Sequence, residues 1–127
     1  MPARHAVAHQ QLETILEANP DDIDAVHRLG HLQKLRGDLP AAEAAYKKVL
    51  SLAGPDEVYQ AIAYGNLGNL YQTRGDSAGA RDSWNRSRRL FAEIGMPHRV
   101  EQVQGWLDAL PGEGDALPSG GKAAVGG

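Results

Sequence analysis

Two pairs of histidines have the spacing best suited to metal chemistry in this chain. His5 and His9 are four residues apart, and so are His27 and His31. Residues four apart share one face of a helix, where two imidazoles can chelate zinc, nickel or copper. A structural zinc site normally needs four ligands, however, and no carboxylate–histidine arrangement in the sequence converges on either pair. We therefore expect neither a metal centre nor another bound cofactor.

Residues that could carry catalysis show no recognisable arrangement. The chain contains no cysteine, which excludes thiol catalysis, thiolate zinc sites and disulfides and is typical of a reducing compartment. No Ser/His/Asp set and no carboxylate pair with clear spacing is present. The segment GEGDALPSGGK is glycine-rich, but it lacks the preceding strand and the following helix of a phosphate-binding loop. We expect a protein that is not an enzyme.

The charge of the chain is mildly acidic. It has 13 Lys and Arg against 16 Asp and Glu, a net charge of −3, whereas nucleic-acid-binding domains are usually strongly basic. Arginines concentrate in the second half of the chain: Arg74, Arg81, Arg86, Arg88, Arg89 and Arg99. They could form a patch for an acidic partner or RNA, but we favour a solvated face with local ion pairs. No apolar run approaches the ~18 residues of a membrane span, and the N-terminus lacks a signal peptide's continuous apolar stretch. We expect a cytoplasmic protein that binds neither nucleic acid nor membranes.

The elements that position these side chains follow from an internal repeat. A shift of 38 residues aligns residues 24–52 with residues 62–90. Identical residues recur at nine of the aligned positions: Ala25/Ala63, Leu29/Leu67, Gly30/Gly68, Leu32/Leu70, Arg36/Arg74, Gly37/Gly75, Asp38/Asp76, Ala42/Ala80 and Leu52/Leu90. Because turn residues and small residues recur together, each block is one structural unit repeated along the chain.

Each block is predicted to form two helices with apolar residues at three- and four-residue spacing. Gly37 and Gly75 can adopt the left-handed conformation that ends a helix. Pro40 suits the first turn of the next helix, and Ser77 is expected to cap its counterpart. Residues 1–21 align with a second helix at an offset of 34. The predicted helices span 4–18, 22–36, 39–52, 56–74, 77–94 and 97–110.

Two glycines interrupt the predicted helices at equivalent positions. Gly30 and Gly68 each follow a leucine, and each costs about 1 kcal/mol relative to alanine in a helix interior. We expect each to allow the close approach of a neighbouring helix. The aromatic side chains of the repeats are expected in the core; they are Tyr46, Tyr64, Trp84 and Phe91.

The two blocks resemble tetratricopeptide repeats, whose pattern is an aromatic, Leu-Gly, Tyr, then Ala and Phe at fixed spacing. The second block has Tyr64, Leu67, Gly68, Tyr71, Ala80 and Trp84 at these positions; the first has Val26, Leu29, Gly30, Gln33, Ala42 and Tyr46. The resemblance implies an all-α, right-handed superhelix of helix-turn-helix repeats. It divides the chain into a half repeat (1–21), a first repeat (22–55), a second repeat (56–96), a capping helix (97–110) and a disordered tail (111–127). The 38-residue spacing, instead of 34, resembles the longer repeats of kinesin light chain and of bacterial arrays.

The resemblance also implies a function: a scaffold or adaptor that binds a partner protein or peptide in a concave groove. Its inward positions are Asp24, His27, Arg28, His31, Lys34, Asn66, Asn69, Gln72 and Thr73. Asn66 and Asn69 resemble the groove asparagines that hold a peptide backbone in this family. The lysine–arginine clamp for C-terminal carboxylates is not reproduced.

A second interpretation is a self-assembling structural module that oligomerises through its terminal helices. The first helix carries apolar residues such as Val7 and Ile15 without a helix before it, and Trp106 and Leu110 occupy the last. An uncovered repeat edge is poorly soluble, and a two-fold homodimer is the commonest way to bury one.

Overall fold

The computed structural model describes residues 2–111 and, within them, contains six helices and no strand. The helices are α1 (Pro2–Ala18), α2 (Ile23–Leu35), α3 (Leu39–Ala53), α4 (Glu57–Thr73), α5 (Ser77–Glu93) and α6 (Pro97–Ala109). Each helix packs mainly on the next one along the chain. The predicted all-α fold of stacked helix pairs is thereby confirmed. Of the predicted tail, residues 112–127 lie outside the described residues.

An aspartate precedes each of the helices α2 to α5, and a glycine follows each of them. The carboxylates of Asp22, Asp38 and Asp76 accept hydrogen bonds from the backbone N–H groups of Ala25, Ala41 and Gly79 at 3.1, 3.2 and 2.8 Å. Gly37, Gly75 and Gly95 lie after helix ends with φ of 84°, 83° and 76°, the left-handed conformation that glycine adopts most readily. The prediction that Ser77 caps α5 is wrong. Ser77 is the first residue of the helix, and the preceding residue, Asp76, accepts the hydrogen bond from the N–H of Gly79.

The repeated glycines lie where an aromatic ring crosses the helix. A Cβ atom added to Gly30 would stand 2.7 Å from Cε1 of Tyr46, and one added to Gly68 would overlap the ring of Trp84. Tyr46 is fully buried and Trp84 is 4% exposed. The expected close approach is thus confirmed at both positions, and it holds α2 against α3 and α4 against α5.

Buried polar groups between α4 and α5 are paired. Trp84 Nε1 donates to the carbonyl of Gly65 at 3.2 Å, and the hydroxyl of Ser87 donates to the carbonyl of Ala61 at 2.7 Å. An unpaired buried donor would destabilise the fold by about 1–3 kcal/mol. These bonds therefore let polar side chains occupy an otherwise apolar helix interface.

A carboxylate joins α3 to α4. Glu43 accepts hydrogen bonds from the hydroxyl of Tyr71 and the guanidinium of Arg74, both at 2.8 Å, and pairs with Lys47 at 3.0 Å. The Tyr71 hydrogen bond, followed by Lys47 and Arg74, lowers the pKa of Glu43 to about 2. One of the clustered arginines is thus used inside the repeat stack, and another, Arg86, pairs with Asp82 at 3.2 Å.

The two ends of the described stack differ in how far their apolar side chains are exposed to solvent. Val7, Ile15 and Leu35, on α1 and α2, are 53%, 41% and 70% exposed. At the other end, Trp106 and Leu110 pack against the buried cluster that contains Trp84. The apolar edge expected on α6 is therefore largely covered, because these side chains face α5 rather than solvent. None of the described helices combines the length and apolarity needed to cross a bilayer.

Candidate partner-binding site

The candidate site lies where polar side chains of α2 meet those of α4. The amide nitrogen of Asn66 is 2.7 Å from Nε2 of His27, and the hydroxyl of Tyr59 donates to a carboxylate oxygen of Asp24 at 2.6 Å. These pairs are 39 and 35 residues apart in the chain. They join equivalent helices of successive repeats, so the two helices present one continuous polar face.

Two histidines lie next to each other on the α2 side of this face, with their ring planes inclined at 57°. The ring centroids of His27 and His31 are 4.7 Å apart, and Nδ1 of His31 is 2.9 Å from the hydroxyl of Tyr46. Burial lowers the pKa of His27, and the charges of His31 and Arg28 lower it further against the opposing effect of Asp24. Partial burial lowers the pKa of His31, and the positive charge of Lys34 lowers it further. Much of this side chain still remains open to solvent.

Both imidazoles are consequently neutral at neutral pH. A neutral ring offers one nitrogen as donor and the other as acceptor, so Nε2 of His27 can accept the hydrogen bond from the Asn66 amide. Burial also raises the pKa of Tyr46 to about 12, which keeps its hydroxyl protonated. The part of the face formed by His27, His31 and Asn66 therefore presents uncharged hydrogen-bonding groups, with the Asp24 side chain beside them.

Four of the nine sequence-predicted groove residues come together here: Asp24, His27, His31 and Asn66. Sequence reasoning missed Tyr59, whose hydroxyl fixes Asp24, and assigned Tyr46 to the core alone. The ring of Tyr46 is indeed buried, but its hydroxyl also contacts His31. No local signal marks either tyrosine, because each contact depends on the packing between helices far apart in the chain.

The other predicted residues are spread around this centre. Arg28 lines a groove between α1 and α2, to which His31 of the site also contributes. Asn69 is partly buried, and its backbone carbonyl accepts a hydrogen bond from the hydroxyl of Thr73 at 2.9 Å. Gln72 and Thr73 are exposed in the last turn of α4, and Lys34 is partly buried near the end of α2. Four of the predicted residues therefore lie together at the site, and the other five are distributed along α2 and α4.

Metal binding finds no further support at the histidine pairs. Within residues 2–111, no three side chains of the ligand types His, Cys, Asp and Glu come together. In the second pair, Nε2 of His27 and Nδ1 of His31 already contact Asn66 and Tyr46. The side chain of His5 lies outside the described residues.

Stacked antiparallel helix pairs, with a glycine of the first helix seated against an aromatic ring of the second, define a helical-repeat protein. A family model described as tetratricopeptide repeat matches residues 21–93, more than half of the chain. The chain belongs to the tetratricopeptide repeat family. Such repeats are generally protein–protein interaction modules and are typically not catalytic. A comparison with curated proteins gives no match.

Proposed function

We propose that this protein is a cytoplasmic scaffold or adaptor that binds a peptide or helix of a partner protein on the face formed by α2 and α4. The observation that carries the proposal is the hydrogen bond between His27 and Asn66, which joins the two helices into one polar surface. The nine groove residues of the sequence analysis are the proposed contacts. The six helices as far as residue 110 are the proposed binding domain.

The chemistry of the face suits a peptide backbone with acidic residues beside it. Asn66 and Asn69 carry amides, which can donate to and accept from a peptide bond. Arg28 and Lys34 place cations on the same helix as the neutral histidines, where they can bind carboxylates of the partner. Main-chain hydrogen bonds supply affinity in such recognition, and flanking charges supply orientation.

The affiliation with longer-repeat arrays, as in kinesin light chain and bacterial relatives, belongs to the same proposal. It is supported by the 38-residue spacing and by the length of α4 and α5, which have 17 residues each. In α4 the extra residues lie at the N-terminal end, where Tyr59 reaches Asp24. The longer helix thus contributes directly to the proposed binding face.

Affinity capture from the source cell followed by calorimetry tests this proposal. Once a bound peptide is identified, Asn66→Ala and Asn69→Ala should each weaken its binding about tenfold, or about 1.4 kcal/mol. Glu93→Ala, at an exposed position of α5, is the matched control and should bind like the parent chain. Unchanged affinity in both asparagine variants, with thermal unfolding intact, would overturn the proposed contacts.

A second candidate function is self-assembly through an end of the stack, including a homodimer. The observation that favours it is the exposure of Val7, Ile15 and Leu35 on neighbouring helices. Exposed apolar patches on small proteins commonly mark interaction sites. The two functions share part of their surface, because Arg28 and His31 line the groove between α1 and α2 together with Ile15 and Leu35. Asn66 and Asn69, on α4, lie outside that groove.

A further inference from the structure

A groove of about 320 Å³ runs between α1 and α2. Its lining is mainly apolar and consists of Ala8, Gln11, Leu12, Ile15, Arg28, His31, Leu32 and Leu35. Leu35 is 70% exposed and Ile15 is 41% exposed. Val7, one turn before Gln11 on the same helix, is 53% exposed. The exposed apolar surface therefore runs from Ile15 to Val7 along one stripe of α1, with Gln11 between them.

The repeat itself shows what such a groove receives. At the offset of 34 residues, Ala8, Leu12 and Ile15 of α1 correspond to Ala42, Tyr46 and Val49 of α3. On α3, Val49 packs with Val26, and Tyr46 packs on Gly30, so these positions hold a helix, α2. The groove on α1 is therefore equivalent to the surface of α3 against which α2 packs.

The other end of the stack does not supply a suitable helix. Gly105, Leu107 and Leu110 of α6 repeat the spacing of Gly65, Leu67 and Leu70 of α4. By this alignment, the positions of α4 that receive α5, namely Ala61, Gly65 and Gly68, become Glu101, Gly105 and Asp108 on α6. All three are exposed, beside Arg88 and Arg89. A charged face loses free energy when it is buried against an apolar groove, which disfavours head-to-tail stacking.

Helix α1 is complementary to itself in the antiparallel direction. A two-fold axis at Gln11 places Val7 of one copy opposite Ile15 of the other, because both are four residues from Gln11 on one helical stripe. Two equivalent Val7–Ile15 contacts therefore form, one on each side of the axis.

Helix α2 adds a further apolar side chain, Leu35, to this contact. Gln33 of α2 lies beside His9 of α1, with their side-chain nitrogens 3.3 Å apart. Since α2 runs antiparallel to α1, Leu35 lies near the level of Val7. Ile15 of a second copy would therefore meet Val7 and Leu35 together. We propose that the groove is filled by α1 of a second copy, in an isologous antiparallel dimer. This inference rests on the second candidate function and specifies its geometry.

Sedimentation of the full chain at tens of micromolar measures the assembly. The parent chain should sediment at twice its 13.6 kDa, and Ile15→Glu and Leu35→Glu should both be monomeric at the same concentration. The matched control is Val58→Glu on α4, where Val58 is exposed to the same 41% as Ile15 but lies outside the groove. It should remain dimeric. A monomeric parent chain would overturn both the dimer and the second candidate function.

Cross-linking tests the symmetry. Because the chain has no cysteine, Gln11→Cys introduces the only thiol, and a residue on the two-fold axis meets its own copy. Mild oxidation should convert this variant to a covalent dimer, whereas Gln102→Cys, at an exposed position of α6, should stay monomeric under denaturing electrophoresis. A disulfide needs Cα atoms within about 7 Å. Larger oligomers, or a dimer that cross-links only through Gln102→Cys, would overturn this geometry and leave self-assembly standing.

A charge pair checks the antiparallel direction. Val7→Glu should weaken the dimer several-fold, and the double variant Val7→Glu/Ile15→Lys should recover part of it, because the two positions face each other across the axis. Equal weakening in the single and double variants would overturn the antiparallel pairing. Neither variant alters Asn66 or Asn69, the residues that test the peptide contacts on α4.

Discussion

At the scale of single residues, the buried Gly68 and the exposed Gly105 form a natural comparison. A Cβ atom at Gly68 would overlap the Trp84 ring, whereas one at Gly105 would have no neighbour within 4 Å. Gly68→Ala should therefore destabilise the fold by about 1–3 kcal/mol through overpacking. Gly105→Ala should stabilise it by up to about 1 kcal/mol, because alanine is the better helix former. Urea unfolding measures both, and equal stabilities would contradict the inferred packing.

The histidine pair gives stability a pH dependence of defined sign. The folded-state pKa values of His27 and His31 lie below the unfolded value of 6.5, so the unfolded chain binds more protons in acid. This stability is fully present above pH 6.5 and is lost as the pH falls through the lowered folded-state values. The titratable and polar groups that face the pair are Asp24, Arg28, Lys34, Tyr46 and Asn66.

We therefore expect the melting temperature of the parent chain to fall between about pH 7 and pH 5. The variant His27→Gln/His31→Gln removes both titrating rings and keeps hydrogen-bonding groups in their place. Its melting temperature should fall less over the same range. If the two chains respond identically, the acid sensitivity arises elsewhere.

Some of the candidate site was predictable from sequence, and some was not. The repeat offset was enough to place His27 and Asn66 on equivalent helices, because helical periodicity fixes the face that a residue occupies. It was not enough to show that Tyr59 holds Asp24, since that bond depends on how far α4 extends toward α2. Arg28 belongs to the predicted face by periodicity, yet it also lines the groove beside α1.

At the scale of the helices, aspartate N-caps mark where α2 to α5 begin. Asp76 accepts the N–H of Gly79 at 2.8 Å, and Asp38 holds the equivalent position before α3. Asp76→Ala should destabilise the protein by about 1 kcal/mol, whereas Ser77→Ala should change little, because alanine is well tolerated inside a helix. Thermal unfolding of the two variants distinguishes them. A larger loss from Ser77→Ala would restore serine as the cap.

The positions of α2 to α5 could be predicted because the signals at helix ends are local in sequence: an aspartate precedes each of these helices and a glycine follows it. The side that α6 turns toward the stack was less accessible. Trp106 was expected at an open edge, but its ring lies 5.6 Å from that of Trp84. Periodicity identifies an apolar stripe without saying how deeply the terminal helix settles onto its neighbour. In the structure the Trp106 ring also reaches α4, where a Cβ atom added to Gly65 would stand 3.9 Å from its Cζ3.

At the scale of the whole molecule, stability should be graded along the stack. Helix contacts run between neighbours, and such arrays open from their less buried end. Leu12 is the buried residue that the structure describes in α1, whereas α4 buries six residues, among them Leu67 and Leu70. Amide hydrogen exchange at a concentration where the chain is monomeric should therefore be fastest in α1 and slowest in α4. Equal protection of the two helices would indicate a single cooperative unit instead.

The contact between Trp84 and Trp106 has an optical consequence. They are the two tryptophans of the chain, and both belong to the last two helices, with ring planes inclined at 37°. Intrinsic fluorescence therefore reports on α5 and α6, while the far-ultraviolet circular dichroism signal sums all the helices. If α1 and α2 open first, ellipticity will decline before the tryptophan emission shifts to longer wavelength, and the separation of the two curves will measure how independently the two ends of the stack unfold.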